Sequence, residues 1–91
     1  MNFEWDENKN VTNIRKHKID FIDVPHVFEN AMLIDYDNTQ DYGEERWIGI
    51  GLLLNIVVVV VFTERNNNTI RIISARKANR NERKRYYEKI F

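Results

Sequence analysis

Cysteine is absent from this chain of 91 residues, which excludes disulfide staples, thiolate metal sites and thiol nucleophiles. With no thiol chemistry to protect, a reducing compartment is expected, and so a cytoplasmic location. The amino-terminal residues lack the basic start and apolar run of a secretory leader, because Glu4, Asp6 and Glu7 stand where those features belong. No apolar run reaches membrane length. Residues 48–62 come nearest, but they are too few to span a bilayer and Gly49, Gly51 and Asn55 interrupt them, so they read as two buried strands. There is no repeat, linker or low-complexity stretch, no glycine-rich phosphate loop, and no residue cluster with metal-ligand spacing, so neither a metal nor a cofactor is expected. Residues 1–91 are expected to form one domain, small enough that a partner or a homodimer would add to its stability.

Net charge is also missing, and here the absence hides a division. Residues 1–62 hold five basic side chains against eleven acidic ones, a net of −6, while residues 63–91 hold nine against three, a net of +6. Such a split suits a polyanion site in the second half, or two halves that neutralise each other when folded.

The pattern of elements starts with a short strand at Phe3–Trp5 and a helix over residues 7–17 capped by Asp6. Lys16, His17 and Lys18 fall in the last turn of that helix, where cations complement the helix dipole. Asp20 is placed to cap a second helix with Phe21, Val24, Val27 and Phe28 on one face. Pro25 predicts a kink, or a start delayed to Asp23. Strands are expected at Met32–Tyr36, Glu45–Ile50, Ile56–Glu64 and Ile70–Ala75, with an acidic loop over Asp37–Glu44 and a turn at Asn66–Asn68. The five valines Val57–Val61 predict a strand covered on both faces. Leu52–Leu54 forms an apolar hairpin turn that either tucks onto the sheet or presents a contact surface. Asn79 followed by Glu82 has the spacing of a capping box and opens a last helix from Arg80 to about Ile90. The order β–α–α–β–β–β–β–α predicts an α+β domain, an antiparallel sheet of four or five strands packed with helices.

Several of these segments resemble the BrnT family. They are Phe3-Glu4-Trp5-Asp6 with Lys9, Asn13 and Lys16-His17; Phe21 and Val27-Phe28; and Glu44-Glu45-Arg46-Trp47 before Ile48, Ile50 and Gly51. Thr63 and Arg65 follow, then the specific run Ile70-Arg71-Ile72-Ile73-Ser74-Ala75-Arg76, with Ala78, Glu82-Arg83 and Tyr86. The resemblance covers nearly the whole chain in order. It implies a fold like that of RelE-like bacterial ribonucleases, RNA cleavage, translation arrest, and neutralisation by a BrnA-type ribbon-helix-helix antitoxin, with room for a homodimer in the toxin–antitoxin complex. The sequence departs from the family at Lys18, where glycine is usual, at Pro25, at Ala31, where proline is common, and in the leucine turn.

Cleavage of RNA without a metal requires a base for the ribose 2′-hydroxyl, cations for the charge that builds on the phosphoryl oxygens, and an acid for the leaving oxygen. Arg65, Arg71 and Arg76 are the candidate phosphate cluster, since a guanidinium meets two phosphate oxygens at once; as ion-paired surface arginines they would have no such role. Simple alternation along the last strand places Ile70, Ile72, Ser74 and Arg76 on one face and Arg71, Ile73 and Ala75 on the other. His17 is the candidate proton-transfer group, or else a helix-end cation. Glu45 is a base or a cross-strand ion-pair partner. Lys16, Arg46, Thr63, Ser74 and Arg83 are candidates for contacting RNA. Tyr86 would stack a base or donate a proton, or else fill the core. A binding module that does not cleave, or a protein that only docks a partner, would use the same basic half.

Overall fold

The computed structural model describes residues 1–38 and 43–91. Residues 39–42, half of the expected acidic loop, lie outside the described residues. The elements run β1 (Asn2–Trp5), α1 (Glu7–His17), a 3-10 helix (Phe21–Glu29), β2 (Leu33–Asp37), β3 (Arg46–Leu53), β4 (Ile56–Arg65), β5 (Thr69–Lys77) and α2 (Arg80–Ile90). The five strands form one sheet in the order β1-β5-β4-β3-β2. All neighbours are antiparallel except β1, which runs parallel to β5. The sheet is therefore mixed rather than antiparallel throughout. A parallel neighbour needs a long crossover, and everything between β1 and β5 supplies it.

Local chemistry accounts for the helices. The Asp6 side chain accepts from the Lys9 amide at 3.0 Å and starts α1. Lys18 ends it in the left-handed region at φ 62°, the conformation for which glycine is preferred at this place. Asp20 caps the next segment through the Ile22 amide, and that segment winds as a 3-10 helix rather than kinking or starting late. An α-helix would drive the Pro25 ring into the carbonyl of Phe21. Three residues per turn avoids the clash and aligns Phe21, Val24 and Val27 in one row, all three fully buried. In α2 both halves of the Asn79–Glu82 capping box are present.

The sheet is covered on both faces. On one face the 3-10 helix packs its buried row into a core with Val58, Val60, Phe62, Ile70, Ile72 and Ala75, while α1 lies along β5. On the other face Tyr86 of α2 packs with Ile50, Val57, Val59 and Ala78. The valine strand is thus buried from both sides, alternate side chains serving each layer. The leucine run is divided: Leu52 packs with the α2 cluster, Leu53 with the opposite core, and Leu54 occupies the two-residue turn, 85% exposed at φ 56°. On the α2 face the sheet changes character along its strands. Beyond Val59 and Ile50 the same face carries Ile48 and Val61 and, with them, Ser74, Arg71, Thr63, Arg65 and Arg46, a mainly polar half of which only Ile48 packs against the cluster under α2.

Candidate functional site

One irregularity brings Arg71 to this half-face. Val61 pairs with Ser74 and Phe62 with Ile72, so Ile73 is an extra residue bulged out of β5. A one-residue insertion inverts the side-chain alternation beyond it. Arg71 therefore joins Ser74 and Arg76 on the α2 side of the sheet, while Ile70, Ile72 and Ala75 enter the opposite core. Simple alternation had set Arg71 against the other two; the bulge brings all three to one face.

The second component is α1. β1 ends opposite Ile72, which leaves the outer edge of β5 unpaired from there on. Asn13 fills the gap. Its side-chain amide donates to the carbonyls of Ala75 (2.9 Å) and Ile19 (3.0 Å), and its oxygen accepts from the Ala75 amide (3.1 Å). One carboxamide thus stands in for the missing strand. Asn10, a turn earlier, accepts from the Phe21 amide and donates to Asp20; the donation holds the Asp20 carboxyl below its ordinary range, with the Ile22 amide adding to the effect. Both asparagines are buried. So anchored, the end of α1 forms a groove of about 360 Å³ in which Lys16 and His17 face Ser74 and Ile73. His17 is half-buried and Lys16 is exposed.

Each candidate arginine has a carboxylate partner. Arg71 meets Glu4 of β1 at 2.7 Å, Arg76 meets Glu82 at 2.8 Å, and Arg65 meets Glu44 at 3.5 Å. The Glu82 bond raises the affinity of Arg76 for its proton, and Arg76 in turn holds the Glu82 carboxyl below its ordinary value. Two of these pairs, with Arg85–Asp35, join the basic half of the sequence to the acidic half. Part of the charge split is therefore neutralised inside the fold. Pairs this exposed add little stability, but they orient the guanidinium groups.

The remaining candidates separate. Thr63 stands opposite Arg71 in the sheet, but it is only 3% exposed and its hydroxyl donates to the Glu45 carbonyl at 2.6 Å. Glu45, Thr63 and Arg65 line a second groove of about 570 Å³ with Glu44 and Trp47. Arg46 opens β3 opposite Asp37. Arg83 turns back to the Ala78 carbonyl at 2.9 Å, at the start of α2. Tyr86 is 1% exposed, with its hydroxyl on the Ala31 carbonyl at 3.1 Å. Burial pushes that hydroxyl above the usual tyrosine range. It is a core residue, out of reach of a base to stack on or a leaving group to protonate. Sequence reasoning missed Asn10 and Asn13 as anchors and Glu82 as the partner of Arg76. Among the described residues no three His, Asp or Glu side chains are grouped so as to hold a metal ion, and no helix is long and apolar enough to cross a membrane.

Comparison with known proteins identifies the family of the chain. Residues 5–82 match the family model for the ribonuclease toxin BrnT of type II toxin–antitoxin systems. The crystal structure of the Brucella abortus ribonuclease toxin BrnT superposes with a TM-score of 0.66 at 28% sequence identity, covering 88% of this chain and 99% of that one. No curated protein matches. The family model spans most of the described fold, including α1, the bulged strand and Glu82, and this chain belongs to the BrnT family of ribonuclease toxins.

Proposed function

We propose that this chain cleaves RNA on the half-face that carries Arg71, Ser74 and Arg76, next to the Lys16–His17 end of α1. The observation that carries the reading is the Ile73 bulge, which aligns two guanidinium groups and a hydroxyl on one strand face beside the groove lined by His17. Arg71 and Arg76 would stabilise the charge that builds on the phosphoryl oxygens, and His17 would move the proton between the 2′-hydroxyl and the leaving oxygen. Lys16 and Ser74 would hold the neighbouring backbone. Arg65, Glu45 and Arg46, with Thr63 behind them, would extend the track along β3 and β4, and exposed Arg83 would meet RNA at the α2 side. In this scheme the charge stabilisation comes from side chains, so cleavage proceeds without a metal.

Family membership supports the biological setting we propose: cleavage arrests translation in the cytoplasm until a ribbon-helix-helix antitoxin covers the basic face. An acidic or apolar antitoxin segment would block RNA by occupying the same groups. A homodimer within that complex is part of the proposal. The purified chain in excess chelator should degrade RNA, and Arg71→Ala and His17→Ala should each slow it by about 100-fold or more, as for a lost phosphate or proton-transfer contact. Full activity in both variants would remove this site. Expression should be lethal and relieved by the neighbouring antitoxin gene. The carboxylate partners of the arginines favour a second reading, a module that binds nucleic acid without cutting it. That reading predicts salt-dependent binding with the RNA left intact.

A further inference from the structure

Arg76 uses its guanidinium unevenly. Nη1 and Nη2 each donate to one oxygen of the Glu82 carboxylate at 2.8 Å, and Nη1 also reaches the Lys77 carbonyl at 3.3 Å. A guanidinium carries five N–H groups in one fixed plane. The end of the fork is taken. The two groups left over, one on Nε and one on Nη2, lie side by side along its flank, and among the described residues neither has a partner. Such a flank is a second bidentate edge that matches two phosphate oxygens. The side chain is 42% exposed, so the flank is reachable.

Glu82 cannot swing freely either. Its Oε1 also accepts from the Asn79 amide at 2.8 Å, while its own amide donates to the Asn79 side chain at 2.9 Å. The carboxylate is thereby tied to the first turn of α2, and one turn later Tyr86 seats the helix in the core. Arg76 is gripped by a group that is itself fixed.

We infer that Glu82 is a positioning residue for RNA cleavage: it holds the end of the Arg76 fork so that the Nε–Nη2 flank faces a phosphate lying beside Ser74. This rests on the proposal above that the Arg76 face binds the reacting phosphate. The converse arrangement, in which Glu82 competes with RNA for Arg76, predicts effects of opposite sign.

Glu82→Gln in the full chain separates the two, because glutamine also closes a capping box but gives up the charged fork-to-fork pair. On an RNA oligonucleotide kcat should fall about 10- to 100-fold, the scale of a misplaced catalytic contact, with KM changing by less than about threefold. In an Arg76→Lys background the same substitution should cost nothing further, since an ammonium has no flank to orient. A rise in activity, an unchanged kcat, or an equal loss in the lysine background would overturn the inference. Activity retained by Arg76→Ala would instead sink the site itself; loss there with a normal Glu82→Gln enzyme sinks only the positioning role. If the glutamine variant melts below the assay temperature, nitrogen NMR of the Arg76 side chain in the unmodified chain decides. Adding a 2′-deoxy oligonucleotide should shift Nε while the Nη groups stay on Glu82; release of the Nη groups would refute it.

Discussion

Replacing Asn13 by alanine tests whether one carboxamide holds α1 to the sheet. The side chain is 5% exposed and makes three hydrogen bonds, to the Ala75 carbonyl, the Ala75 amide and the Ile19 carbonyl. Truncation leaves all three backbone groups without partners at a place where the outer edge of β5 has no strand beside it. A buried orphan costs about 1–3 kcal/mol, and some relaxation or water entry offsets part of the total, so the expected loss is about 3 kcal/mol. In a domain of this size each kcal/mol moves Tm by roughly 4–8 °C, giving a fall of roughly 12–24 °C. Urea unfolding followed by tryptophan fluorescence should show the midpoint lowered at unchanged slope. RNA cleavage measured well below the melt should also fall, because Lys16 and His17 lie at the end of the helix that Asn13 anchors. A loss under about 1 kcal/mol would show that α1 is held by its other contacts instead, and would refute the argument for the groove.

Lys18→Gly should stabilise the fold by about 0.5–1 kcal/mol, since φ 62° strains a residue with a Cβ; a melt at or below that of the unmodified chain would contradict this. Tyr86→Phe should cost about 1 kcal/mol through the lost bond to Ala31 while leaving RNA cleavage unchanged, and a collapse in kcat with the fold intact would restore a chemical role for the hydroxyl. Glu82 and Asp20 both have carboxyl groups held below their ordinary values, so their contribution is present above about pH 5 and drains away as pH falls through the folded values. Glu82→Gln and Asp20→Asn should each flatten the acid limb of a stability–pH curve. A limb unchanged in both variants would exclude these pairs as its source.

What could be read from the sequence was local. Asp6, Asp20 and the Asn79–Glu82 box state their roles through spacing, and the valine run announces a strand with two buried faces. Pro25 marked trouble in the second helix, yet the remedy, a three-residue period that aligns Phe21, Val24 and Val27, depends on the core they enter together. Lys18 in place of the family's glycine was visible as a departure, but its left-handed backbone was not read from it. The parallel entry of β1 and the bulge at Ile73 left no mark. A bulge is a property of two strands, and the residue type at Ile73 does not demand one. The site suffered most from this, because Arg71 changes faces at the bulge. The charge division was plain, but which carboxylate meets which arginine depends on register, as with Glu4 opposite Arg71. Asn10 and Asn13 looked like ordinary polar residues on a surface helix, and only the open edge of β5 gives Asn13 its partners.

The central claim is that RNA lies across the Arg71–Ser74–Arg76 face against the end of α1. An NMR titration of the whole chain with a non-cleavable 2′-deoxy oligonucleotide tests it most directly. The account predicts shifts that concentrate at Arg71, Ser74, Arg76, Lys16 and His17 and weaken with added salt. Shifts confined to the other side of the sheet, around Ile34 and the 3-10 helix, would contradict it.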